Sequence, residues 1–217
     1  MQACETQIEA CLQTFVTHVD VDTPPPAPAR KRRARQRHAP DFDVHGYLAA
    51  LTGVDLTQID GMDALTALKV ISEIGLDMTR WLTGKHFASW LGWCPGNKVS
   101  GGKRSRMRSK PTANRAASAL RLAAQGLVNS HSALGAYYRR MRARLGAPKA
   151  ITATAHKLAR LVYSMLRYGT AYVDAGQQAY EQQYRDRVLT NLQRKARVFG
   201  YQLVQEGAGS AQAAATL

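Results

Sequence analysis

The chain has 217 residues, enough for one ordinary domain or a small domain with helical arms, and it can bury a core without disulfide staples. Its 30 Lys and Arg stand against 15 Asp and Glu, a formal net charge of +15 with an isoelectric point near 10.2, so a phosphate-rich partner leads the expectations. No apolar run approaches the roughly 18 residues a spanning helix needs, and no N-terminal stretch has signal-peptide order, so nucleic acid is preferred to membrane and a cytoplasmic location is expected.

The three cysteines, Cys4, Cys11 and Cys94, and the six histidines form no Cys-x-x-Cys or His-x-x-x-His pair. Reduced thiols and no metal held by this chain are therefore expected.

In chain order, the apolar positions Cys4, Ile8, Cys11, Leu12, Phe15, Val16 and Val19 recur at three- and four-residue intervals. They mark an amphipathic helix of coiled-coil character within residues 1–21, readable as an ordinary N-terminal helix or as the tail of a longer one. Residues 22–41 hold repeated Pro and the block Arg30, Lys31, Arg32, Arg33, Arg35 and Arg37, which excludes helix and repels itself into an extended linker. Such an arm is a solvated tether that also holds phosphates without reading sequence.

From Phe42 onward the periodicity is helical: Val44 to Leu51, Ala64 to Ile74, Thr83 to Leu91, Thr112 to Val128, Ser132 to Leu145, Ile151 to Tyr168 and Ala175 to Val204. Gly75, Gly146 and Gly169 stand where left-handed helix stops belong, and Ser132 is a candidate N-cap. No segment alternates with period two for long enough to predict a strand, so the class is all-α. A main body over 42–174 and a basic C-terminal helix with a fraying tail over 175–217 complete the expected organisation.

Three stretches carry chemistry. In "LTQIDGMDALTALKVISEIG" a Gly turn opens a helix whose Leu65, Leu68 and Ile71 are expected to face inward, and Gly61 would let backbone N–H groups approach a phosphate in a helix-hairpin-helix manner. Asp60 and Asp63 add negative charge where that phosphate would come, and Asp63 reads equally as an N-cap.

The loop "CPGNKVSGGKRSRMRSKPTANR" gathers Lys98, Lys103, Arg104, Arg106, Arg108 and Lys110 around Ser100, Gly101 and Gly102. A serine oxygen attacking a phosphodiester develops charge on phosphoryl oxygens, which these cations and exposed N–H groups would stabilise. The same run reads as a flexible solvated loop.

In the tail, Tyr180, Tyr184, Val188, Leu192, Ala196 and Phe199 form an apolar stripe, with Arg185, Arg187, Arg194, Lys195 and Arg197 on the polar side. Core docking and a partner-facing role are both open, and the tyrosines read as packing groups before nucleophiles.

The succession "IDGMDALTALKVISEIG", "HFASWLGWCPGNKVSGGKRSRMRSKPTANRAASALRLAA" and "HKLARLVYSMLRYGTAYVD" resembles the C-terminal domain of the insertion-sequence 110/116/902 family of transposases, over about Leu51 to Asp174. Its members are similar to DNA invertases of the Piv type and pair this domain with an N-terminal RuvC-like domain of four acidic metal ligands.

The resemblance implies a serine five positions after a Pro that joins DNA covalently, here Ser100 after Pro95. It also implies a bridge RNA that selects DNA, Mg in the RuvC-like domain and assembly into dimers or tetramers. Asp60 and Asp63 depart from the family's Pro and Gly. Only one helix and a linker precede Phe42, so the acidic metal cluster is expected on another chain or to be missing. Two functions follow: a transposase fragment supplying a serine nucleophile, or a non-catalytic nucleic-acid-binding helical protein.

Overall fold

A computed structural model describes residues 2–17, 40–93, 97–106 and 114–204. The expected basic linker, with Arg30, Lys31, Arg32 and Arg33, lies outside the described residues except at its end. So do Arg108, Lys110 and Cys94.

Among the described residues the chain is helical, with α1 at Gln2–Thr17, α2 at Val44–Thr52, α3 at Ala64–Ile74, α4 at Gly84–Trp90 and α5 at Arg115–Gly126. After these come α6 at Ala133–Leu145, α7 at Ala147–Tyr168 and α8 at Gly176–Val198. The exception to the helical expectation is a two-stranded antiparallel hairpin, β1 at Asn97–Ser100 and β2 at Lys103–Arg106.

Side-chain caps set several of the starts. Asp63 accepts from Thr66 N–H at 2.8 Å, Asn114 from Ala117 N–H at 3.0 Å, and Ser132 from Gly135 N–H at 3.1 Å. Each satisfies one orphan donor of a first turn. The helix expected from Thr112 therefore starts at Arg115, behind Asn114. The helix expected from Ile151 starts at Ala147, where Pro148 suits the first turn.

Of the three glycine stops, Gly169 is left-handed, at φ 64° and ψ 19°. Gly75 and Gly146 share the positive φ but have ψ of −175° and 165°, an extended glycine-only conformation that redirects the chain instead of curling it.

The core forms where α3 packs on α5, α5 on α7, α4 on α7 and α6 on α7. Phe87, Ile59, Ile74, Leu91, Leu120, Leu127, Leu134 and Leu158 are fully buried, each worth about 1.5–3 kcal/mol relative to exposure. Alanines Ala116, Ala117, Ala119, Ala123 and Ala124 line the buried side of α5, and Ala150, Ala155 and Ala159 that of α7, so these helices approach closely. On α3 the inward residues are Ala67, Val70, Ile71 and Ile74. Leu68 is partly buried against the core, and Leu65, expected inward, stays at its edge.

The end helices are different. On α1, Leu12 is buried toward α2, while Cys4, Ile8, Cys11 and Phe15 are exposed. No residue of α8 is buried, and the helix ends at Val198 instead of continuing to Val204.

Candidate nucleic-acid interface

The hairpin presents Ser100 at the end of β1, paired with Lys103, and the remaining pairs are Val99 with Arg104, Lys98 with Ser105 and Asn97 with Arg106. Gly101 and Gly102 make the turn at φ 56° and 74°, and both are exposed. Two-residue hairpin turns of the primed kind need positive φ at both positions, which glycine adopts without a Cβ penalty. Ser100 thus stands at the turn end of the ribbon, in register with Lys103 and two positions after Lys98.

The hairpin element expected around Gly61 falls on α2, the 53–63 connection and α3. Gly61 has φ 86°, and a Cβ built on it would lie 2.6 Å from the Ala123 carbonyl oxygen and 3.1 Å from Leu127 Cγ. Glycine here meets a packing demand from α5.

Asp60 does not add charge to an open phosphate site: it is buried and accepts from the Ser130 hydroxyl, seventy positions along the chain. Ser130 Oγ lies 2.7 Å from Ser132 Oγ. Arg139 donates to the carbonyls of Ser130, at 2.6 Å, and Val128, at 3.2 Å. Asp63 caps α3, one of the two roles its position suggested.

A second basic surface escapes a reading centred on loops. α6 carries Arg139, Arg140, Arg142 and Arg144, α7 carries Lys149, Lys157, Arg160 and Arg167, and neither helix has an acidic residue. Arg142, Arg144, Lys149, Arg160 and Arg167 are exposed. The signal lay in composition, an acid-free basic run over 133–168, hidden because its periodicity is that of an ordinary amphipathic helix.

The partly buried cations of this surface hold α8. Arg140 lies 3.3 Å from the Tyr184 ring centroid and 4.7 Å from that of Tyr180, and donates to the Tyr180 hydroxyl at 3.0 Å. The Lys157 ammonium stands 4.6 Å from the Tyr137 ring and 5.5 Å from Tyr180. Burial, with the nearby Arg187 charge, pulls the Lys157 pKa below the usual lysine value. Burial and Tyr180 push the Tyr137 phenol up.

Four of the described carboxylates are engaged within the fold. Asp55 accepts from Thr57 and His45, Asp63 and Asp77 cap turns, and Asp174 accepts from Ala133 N–H and the Tyr172 hydroxyl. No three His, Cys, Asp or Glu are grouped to hold an ion among the described residues. Nor is any described helix long and apolar enough to cross a membrane.

Residues 53–139 match the family model described as Transposase IS116/IS110/IS902 family, a stretch running from the end of α2 through the hairpin to Arg139 of α6. The match is consistent with the C-terminal domain of such a transposase and supports a transposase function. No curated protein and no solved structure matches the chain.

Proposed function

We propose that this chain, which carries a domain of the IS116/IS110/IS902 transposase type, binds DNA and supplies Ser100 as the nucleophile for strand exchange during movement of an insertion element. The observation that carries the reading is the hairpin: Ser100 closes β1 beside the exposed Gly101–Gly102 turn, in register with Lys103. A phosphodiester approaching that turn meets no Cβ at two successive residues, and Lys103 answers the charge that builds on the phosphoryl oxygens.

In the step itself the Oγ–H bond of Ser100 and the bond from phosphorus to the departing strand break, and an Oγ–P bond forms. The proton ends on the departing strand's oxygen. The cations of the loop, including Arg104, Arg106, Arg108 and Lys110, and the arm Arg30, Lys31, Arg32 and Arg33 hold flanking phosphates. A RuvC-like domain on another chain, with its Mg, a bridge RNA and self-association are the partners this reading calls for.

Ser100→Ala tests it. In an enzyme reconstituted with a RuvC-like partner, the variant is expected to lose the covalent protein–DNA adduct and strand joining while keeping its DNA affinity. Joining retained by Ser100→Ala would leave the non-catalytic nucleic-acid-binding reading in its place.

A further inference from the structure

The three tryptophans are not equivalent. Trp81 and Trp93 are 7% and 6% exposed, whereas Trp90, at the last position of α4, is 40% exposed. Trp90 is braced from within: its ring lies 5.1 Å from Trp81 and stacks at 18° on Phe87 with centroids 6.2 Å apart. The ring contacts continue from Phe87 to Tyr163 at 6.0 Å and from Tyr163 to Tyr168 at 6.3 Å, and Tyr168 is again 65% exposed.

This is a rigid aromatic run that surfaces at both ends. Tyr163 is itself locked, its hydroxyl donating to the Trp81 carbonyl at 2.8 Å. An exposed indole on such a support is preorganised, because it loses little side-chain freedom when a flat partner covers it.

The surroundings decide what that partner is. The Arg80 guanidinium lies 5.4 Å from the Trp81 ring centroid, Lys85 is exposed on α4, and the exposed Arg160 packs beside Gly84, its Cγ 3.8 Å from where a Cβ would sit. Asp77, the carboxylate of this region, is engaged by the backbone and side chain of Thr79. A flat apolar face that rests on a ring with a guanidinium beside it, on a helix that carries Lys85 and packs against Arg160, suits a base whose strand carries phosphates. Every base has a π-face, whereas in a duplex that face is covered by its neighbours. Trp90 also stands ten positions before Ser100, in the helix that feeds the hairpin.

We infer that Trp90 is a stacking platform for an unpaired base of a DNA or RNA strand held by Arg80, Lys85 and Arg160. This rests on the nucleic-acid reading proposed above and adds to it that the chain takes hold of one strand out of the duplex.

The test uses the full chain with short oligo-dT, oligo-U and a mixed-sequence duplex, read by tryptophan emission and by anisotropy of a labelled strand. Single strands are expected to quench the exposed indole, and Trp90→Ala to weaken single-strand binding by roughly 5- to 150-fold, the worth of one stacked base. Duplex affinity is expected to stay within about twofold, and Trp90→Phe to keep strand affinity while losing the quench. Comparison of oligo-dT with oligo-U identifies the strand type. Single-strand affinity unchanged in Trp90→Ala overturns the inference while leaving duplex binding, and with it the proposed function, intact. An emission change that follows protein concentration instead of added strand overturns it in favour of a second copy on this face. Failure to bind either strand or duplex removes both readings.

Discussion

α5 and α8 both show helical periodicity, and their fates are opposite. α5 reads "RAASALRLAAQG", poor in large apolar groups, yet six of its twelve residues are buried. α8 carries Tyr180, Tyr184, Leu189 and Leu192 and buries none of its 23 residues. Small side chains let a helix backbone come close to its neighbours, so that its own main chain packs against the side chains facing it. Large side chains with cations between them hold a helix at arm's length. A helix of small side chains can therefore sit deep because its axis approaches its neighbours closely.

Three substitutions sharpen or break that contrast. Gly61→Ala strikes the close-packed side: the new Cβ meets the Ala123 carbonyl at 2.6 Å, and the backbone stays at φ 86°. About 1–2 kcal/mol for the positive φ and about 1–3 kcal/mol for overpacking predict a loss of roughly 2–5 kcal/mol, measured by urea unfolding. A neutral outcome would mean that α5 is not held close after all.

Arg140→Ala strikes the other side. It removes the cation set against Tyr180 and Tyr184, at about 0.5–2 kcal/mol for each partly buried contact. Amide exchange is expected to quicken along α8 while α3 and α5 keep their protection; a cooperative loss through the whole body would erase the distinction.

The smallest effect concerns pH. Burial, and then the Arg160 charge, hold the His156 pKa below its ordinary 6.5 in the folded chain, so the unfolded chain takes up the proton more readily. The resulting penalty is complete below the folded pKa and fades as pH rises to the unfolded value. His156→Gln should flatten the rise in stability on that acidic side, seen as a urea midpoint less dependent on pH.

Much of this architecture was legible because caps and periodicity are local. Ser132 could be read as a cap, and a cap was one of two roles open to Asp63, because the N–H each accepts from lies three residues away, and the α3 boundaries followed from the same kind of signal. The hairpin was not legible: "NKVS" and "KRSR" are four residues each, with one apolar side chain between them, too short for any alternation to register.

The inward turn of Asp60 depended on Ser130, beyond the reach of any local pattern. The tail stripe could be seen, but its attachment could not, because Arg140 and Lys157 lie on other helices at positions that read as solvated charges. Of the candidate site, the succession Ser100–Gly101–Gly102 and its flanking cations stood out as a run, whereas the pairing that sets Ser100 opposite Lys103 needed the register.

Gly146 both closes α6 and opens α7, a single residue between two helices of 13 and 22 residues. A joint that short leaves almost no slack to lose: the free energy of closing a flexible loop grows with the logarithm of its length, and here there is scarcely a loop to close. The α6–α7 pair meets nearly free of chain entropy, as two halves of a hinged plate. The angle at which its five exposed cations are displayed is set by one pair of backbone dihedrals.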